Sequence, residues 1–324
     1  MSLDFLPTAE LETLRFRARV LAAIRQFFDL RGYFEVDTPL LSQDCVIDAN
    51  LEAFVIPNAH QGHDLFLQTS PEFAMKRLLV AGADAIYQLG KVFRRGERGA
   101  RHNPEFTMVE WYAVATDHHG QMQVTEDLVR CVFNLSAVRT LPPQSFHRTT
   151  YAEAFQRQVG IDVFGTETER LAQVARERGV GIPESLERDD RDGWLNLLLA
   201  ELIEPHLGRA GPEYLLDYPA SQAALAIVRS GPPAIAERFE LYLDGIELCN
   251  GYHELADPEE LRSRILREWT TRAGDPPVSS RLLQAMEMGL PPCSGVALGV
   301  DRLVMLAAGK PRLDDVIAFP VERC

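Results

Sequence analysis

Between Leu11 and Arg31 apolar residues recur at three- and four-residue steps, aligning Leu14, Ala18, Leu21, Ile24 and Phe28. That period is helical, and Gly32 supplies the C-terminal stop. Tyr33–Leu41 predicts a strand interrupted by Pro39, which has no N–H for a ladder and so belongs at an edge or interface. Asp64–Gln68 predicts a short strand. After it, Ser70 as N-cap and Pro71 at the first helical position open a helix running to Gly82. Ala85–Phe93 and Phe106–Val114 predict two strands joined by an arginine-rich loop. From about 141 to 216 the pattern is less regular, with Pro142-Pro143 and a mixed charge run from Glu187 to Asp192, and it is expected to be an insertion in one domain spanning 1–324. Arg238–Leu243 and Ile246–Asn250 flank Asp244-Gly245, a two-residue hairpin signal. Val296–Leu298 enters a helix beginning near Gly299. Helices and hairpins without a βαβ rhythm predict an α+β fold, an antiparallel β-sheet flanked by helices.

The strand patterns place chemistry. Alternation puts Phe106, Met108, Glu110 and Tyr112 on one face and Thr107, Val109 and Trp111 on the other. A glutamate between Val109 and Trp111 needs a cation or donor partner. The loop before it carries Arg94, Arg95, Arg98 and Arg101, and guanidinium groups match phosphate oxygens. Taken alone, a structural hairpin with a solvated loop is about as probable as a phosphate site. In the 244–245 hairpin, Tyr242 should face Glu247, which leaves Glu240 diagonal to Glu247 at roughly 7–8 Å. Two carboxylates that close suit a magnesium ion, which takes one or two protein carboxylates plus substrate phosphates. In isolation a solvated acidic pair is the commoner arrangement. Gly295 and Gly299 allow close backbone approach, and Arg302 falls in the first turn of the following helix, an anion-binding arrangement.

Composition narrows the classes. The 324 residues carry a formal net charge of −14, which disfavours a nucleic acid as principal partner. The longest apolar runs are far short of a membrane span. Residues 1–10 show no basic region of a secretory signal. Cys45, Cys131, Cys249, Cys293 and Cys324 form neither a disulfide framework nor a zinc site, so a reducing cytoplasm is expected.

Together the three elements resemble the three signature motifs of class II aminoacyl-tRNA synthetases. The Pro39 segment resembles the first, which in that family builds the dimer interface, so a homodimer is implied. Phe93 through Tyr112 resembles the second and Gly295 through Arg302 the third. The string from Arg101 to Tyr112 (RHNPEFTMVEWY) and the segment Glu247–Leu255 are similar to the lysyl-tRNA synthetase branch.

The resemblance implies ATP and Mg2+ as cofactors and assigns roles. Arg94 would contact the α-phosphate, His102 and Asn103 the nucleotide, Phe106 the adenine face and Arg302 the γ-phosphate, with Glu97 and Gly299 in the same ATP site. Glu240 and Glu247 would ligate magnesium. Ser70 and Glu72 would bind the amino-acid substrate, with Glu72 meeting its α-amino group. Glu110, Tyr112, Asn250, Tyr252, Glu254 and Ala297 would line the amino-acid pocket. The catalytic pattern begins within the first 20 residues, where lysyl-tRNA synthetases carry an anticodon-binding domain. Gly96 replaces the family's glutamate two places after the arginine, with Glu97 next to it. Ala297 and Cys249 stand where the family has glycine. These departures and the stretch Tyr218–Gln222 are similar to a stand-alone subgroup that attaches (R)-β-lysine to translation elongation factor P. That likeness implies a protein acceptor rather than tRNA. The alternatives are a truncated lysyl-tRNA synthetase and a non-catalytic regulator; the latter would be expected to lose Arg94, Arg302, Glu240 or Glu247, all present here.

Overall fold

The structure, a computed structural model, describes residues 5–44, 51–269 and 280–324. Cys45 and residues 1–4 of the amino-terminal reading lie outside them. The chain divides into two compact units, Met1–Leu141 with Glu254–Cys324, and Pro142–His253.

In the first unit, helix α1 (Leu11–Asp29) ends before Gly32, whose φ of 79° is the left-handed stop expected there. Its buried face is Phe16, Val20, Ile24, Phe27 and Phe28 with Thr13, whereas Leu14 and Leu21 are only half-buried and Ala18 is exposed. The expected face is therefore rotated. The aromatic residues bring more apolar area than the aliphatic line and take the core side. Phe28 stacks on Tyr87 and tilts against Trp111.

Only two short pieces of the expected Tyr33–Leu41 strand form. Strand β1 (Phe34–Glu35) pairs parallel with β5 (Ala85–Phe93), and β2 (Leu41–Ser42) joins a small sheet in the order β2-β4-β3, with β3 at Val55–His60 and β4 at His63–Leu67. Pro39 sits between the two pieces and interrupts the ladder. The unit's main sheet runs β1-β5-β6-β12, with β6 at Glu105–Val114 and β12 at Cys293–Gly299, antiparallel apart from the β1 edge. Helix α2 (Glu72–Val80), α3 (His118–Phe133), α8 (Arg281–Glu287) and α9 (Val300–Ala307) complete the frame with α7 (Pro258–Trp269). At the head of α2, Ser70 Oγ accepts from the Glu72 amide at 3.0 Å, so it caps the chain entry although the helix proper starts two residues on.

The second unit begins at Pro142, but it is regular and extends beyond 216 to His253. Its sheet runs β11-β10-β8-β7, with β7 at His147–Thr150, β8 at Glu213–Pro219, β10 at Ile235–Leu243 and β11 at Ile246–His253; β9 (Val228–Arg229) pairs with β10. Helices α4 (Tyr151–Gln158), α5 (Thr168–Glu177) and α6 (Arg191–Leu198) bury Phe155, Leu171, Trp194 and Leu198 in the unit's own core with Tyr218 and Tyr242. These helices are short and carry few apolar residues each, so their periodicity is faint in the sequence. Asp244 and Gly245 both take positive φ, 55° and 69°, as the predicted two-residue turn requires.

Both units together give the α+β architecture. Among the described residues no helix is long and apolar enough to cross a membrane.

Candidate active site

In the first unit the β6 alternation delivers Glu110 and Tyr112 to one face. Glu110 is fully buried and each of its oxygens accepts one hydroxyl: Oε1 from Tyr112 at 2.6 Å, Oε2 from Ser70 at 2.7 Å. On the partner strand Ala297 pairs with Glu110 and Gly295 with Tyr112. A Cβ on Gly295 would overlap the Tyr112 ring and come within 2.7 Å of Glu254 Oε1. Glycine is thus required there by close approach.

Glu72 and Glu254 complete the group through a residue that the motif reading missed. Lys76 is buried, with Nζ 2.7 Å from Glu72 Oε1 and 2.6 Å from Glu254 Oε2. The Lys76–Glu254 contact is an ion pair between two buried side chains. The available signal was the Glu72-x-x-x-Lys76 spacing on a helix, which aligns an acid and a base on one face. Three buried acids therefore share one buried ammonium.

The electrostatics follow from that imbalance. Burial pushes the Glu110 carboxyl up to about 7, helped by the Glu72 charge and opposed by the Tyr112 and Ser70 hydroxyls and by Lys76. Burial likewise pushes Glu254 up to about 8, against the pull of Lys76. Burial alone would lower the Lys76 pKa, but Glu254 and Glu72 outweigh it and raise it. Burial holds protons on these acids, and the single Lys76 ammonium offsets it only in part.

The loop 94–104 carries the nucleotide candidates. Arg94 donates to Thr69 O at 3.4 Å, lies 3.5 Å from Glu97 and sits over the Phe106 ring at 5.1 Å from its centroid. Gly96 takes φ 80°, a left-handed turn that disfavours the family's glutamate there. Arg302, in the first turn of α9 after Gly299, lies 2.6 Å from His102 Nε2. Burial and then the Arg302 charge lower the His102 pKa, so its ring is neutral and meets Arg302 as an acceptor. Beside it, Asp301 is buried, ion-paired to Arg17 at 2.5 Å, and accepts from the Thr107 amide at 3.0 Å. These bonds fix the start of α9 against β6.

Two of the loop arginines are otherwise engaged: Arg95 pairs with Glu52, and Arg98 pairs with Asp314 and Glu322. The Asn103 side chain is engaged within the protein. It is buried, donates to Glu105 O at 2.7 Å and accepts from the Val321 amide at 3.1 Å, so its side chain holds the loop.

In the second unit Tyr242 faces Glu247 as predicted, but a bulge shifts the register so that Glu240 pairs with Asn250. Glu240 is also less open than expected. Its Oε2 accepts from Tyr218 at 2.6 Å and Tyr242 at 2.5 Å, and its Oε1 from Arg238 at 2.6 Å. Arg238 thus partly neutralises the Glu240 carboxylate. Asn250 donates to the Tyr252 hydroxyl at 2.8 Å and leaves a buried Oδ1 without a hydrogen-bond partner among the described residues.

The fold, the buried acid cluster and the arginine loop agree with a family match over almost the whole chain. The model of class II tRNA synthetases (D, K and N) covers residues 2–323. The chain belongs to that family. It is 44% identical to a Vibrio cholerae protein named elongation factor P–(R)-β-lysine ligase, over 99% of this chain and 98% of the relative. Proteins of the same name from Proteus mirabilis and Yersinia enterocolitica are also 44% identical, covering 99% and 98% of this chain and 98% and 97% of their own lengths.

Proposed function

We propose that this chain is an ATP-dependent ligase that activates (R)-β-lysine as an aminoacyl-adenylate and transfers it to a lysine side chain of translation elongation factor P. The observation that carries the lysine-like half is Glu254 Oε1, a buried acceptor with no hydrogen-bond partner among the described residues, beside Gly295 and in a cluster of three acids and one base. A buried unsatisfied acceptor is costly, and an incoming ammonium satisfies it. The named relatives support the β-isomer and the protein acceptor.

In this reading Glu72, Glu110 and Glu254 receive the substrate's amino groups, while Ser70 and Tyr112 hold Glu110 in place. Ala297, half-buried opposite Glu110, sets the depth of the floor. The substrate carboxylate attacks the α-phosphorus of ATP, pyrophosphate leaves, and the mixed anhydride forms. Arg94 and Arg302 spread phosphate charge, so catalysis is positioning and electrostatic stabilisation. The acceptor amine then attacks the carbonyl carbon, AMP leaves, and the amine nitrogen gives up a proton as the amide forms.

A magnesium ion fits the second unit's donors. A carboxylate offers about four acceptor directions and Glu240 uses three, leaving one on Oε1; Glu247, half-buried opposite Tyr242, offers a second carboxylate. Bound there, the ion would neutralise phosphate charge.

The net charge of −14 supports a protein acceptor over tRNA. Exposed Phe34, Leu40 and Leu41 around Pro39 support a homodimer built on that segment. Free thiols at Cys131, Cys249, Cys293 and Cys324 support a cytoplasmic setting.

The test is incubation with ATP, magnesium and (R)-β-lysine together with either elongation factor P or total tRNA. Mass spectrometry is expected to find β-lysine in amide linkage on the protein, with no charged tRNA. Efficient tRNA charging would replace this reading with a synthetase one.

A further inference from the structure

Arg98 lies among the loop arginines, yet all three of its guanidinium nitrogens are already spent. Nη1 and Nη2 take the two Asp314 oxygens at 3.0 and 3.2 Å, while Nε and Nη2 take the two Glu322 oxygens at 2.5 and 2.7 Å. Nη1 also donates to the carbonyls of Gly99 and His102 at 3.1 and 3.2 Å, inside its own loop. Two further bonds join the same partners: the Leu313 amide donates to Ala100 O at 2.8 Å, and the Val321 amide to Asn103 Oδ1 at 3.1 Å. Residues 313–322 thus grip the loop at Arg98, Ala100 and Asn103.

The gripping segment is itself anchored. Leu313, Val316 and Ile317 are buried, and Thr8 Oγ1 donates to Asp314 O at 2.6 Å while the Thr8 amide donates to Ala318 O at 2.9 Å. Among the described residues the loop's own backbone bonds are Gly99 with His102 and Arg94 to Pro104, and one more ties Arg95 to Glu52 outside it. An eleven-residue loop (94–104) so sparsely self-bonded would sample many conformations, and holding one of them lowers the entropy lost when a ligand binds.

We propose that residues 313–322 are a strap that sets the nucleotide-binding conformation of loop 94–104, with Arg98 as a positioning residue rather than a phosphate ligand. The strap fixes His102 through its carbonyl and so the surface His102 offers Arg302. This rests on the reading that the loop serves ATP.

The test is ATP–pyrophosphate exchange with (R)-β-lysine, varying ATP at saturating amino acid and the reverse, for wild type, Arg98→Ala, Arg98→Lys and the double variant Asp314→Asn/Glu322→Gln. The double variant is decisive because it frees the guanidinium while leaving it in place. A strap predicts that its ATP KM rises about tenfold, the worth of one charge-assisted bond, with the amino-acid KM within about twofold. Arg98→Ala should match it, and Arg98→Lys should recover part of the loss. An unchanged ATP KM in the double variant would overturn the strap, and a lower one would overturn it and make Arg98 a phosphate ligand. Equal rises in both KM values would also overturn it, as general loosening. Should Arg98→Ala not fold, Glu322→Gln at the half-exposed end of the pair gives the same readout. Absence of exchange in the wild type would instead count against the adenylation reading itself.

Discussion

At the scale of single residues the site is a charge imbalance held in a buried place. Glu254 Oε1 is the acceptor with most to gain from a substrate amine, so Glu254→Gln should raise the amino-acid KM about ten- to hundredfold, the value of a charge-assisted hydrogen bond of roughly 1.5–3 kcal/mol. The ATP KM should stay near wild type in the same exchange assay; parallel rises in both would remove the amine assignment. Lys76 has a different signature. Taking away one partner of a buried pair leaves the others uncompensated, so Lys76→Met should cost about 3–5 kcal/mol in chemical denaturation. Pairing it with Glu72→Gln should recover part of that stability, because one of the stranded charges goes with it. No recovery would mean that Lys76 acts through packing alone.

At the scale of elements, the sequence patterns were legible where one face or one turn decided the structure. Strand β5 and the 244–245 turn formed as the patterns predicted, and β6 begins one residue earlier at Glu105, because alternation and a left-handed pair of residues are local properties. The turn is also tightly framed. A Cβ on Gly245 would meet the carbonyl of Glu204 at 3.0 Å, and φ there is already positive. Gly245→Ala is therefore expected to lower the second unit's stability by about 1 kcal/mol or more, measurable as a shift in denaturation midpoint.

What the patterns did not disclose depended on tertiary partners. The α1 face was displaced because Phe16 and Phe27 outweighed the aliphatic line once Tyr87 and Trp111 packed on Phe28. The Glu240 network needed Arg238, Tyr218 and Tyr242 brought together by three strand positions. The strap joins Arg98 to Glu322 across 224 residues, a pairing that no local pattern carries. Motif likeness named most of the candidate site but neither Lys76 nor the commitment of Asn103 to its loop.

At the scale of the molecule, the buried acids should shape the pH dependence of stability. Glu110 and Glu254 have folded pKa values of about 7 and about 8, above the ordinary 4.5. Between those limits the folded state binds more protons than the unfolded one, so stability falls as pH rises. Lys76, raised from 10.5, changes nothing in that window. Thermal unfolding of the ligand-free protein should therefore show a melting temperature that declines from pH 5 to pH 8 through these groups. Saturating diamino acid should flatten the decline, since its ammonium groups stabilise the ionised carboxylates. A slope unaffected by the amino acid would place its amines elsewhere.

Everything above turns on whether the protein adenylates a lysine-like diamino acid. The most direct test is amino-acid-dependent ATP–pyrophosphate exchange across (R)-β-lysine, (S)-β-lysine, α-lysine and norleucine, which lacks the second amine. Strong exchange is expected with (R)-β-lysine, weaker exchange with the other two lysines and none with norleucine. Exchange with norleucine equal to that with the lysines, or no exchange with any lysine isomer, would contradict it.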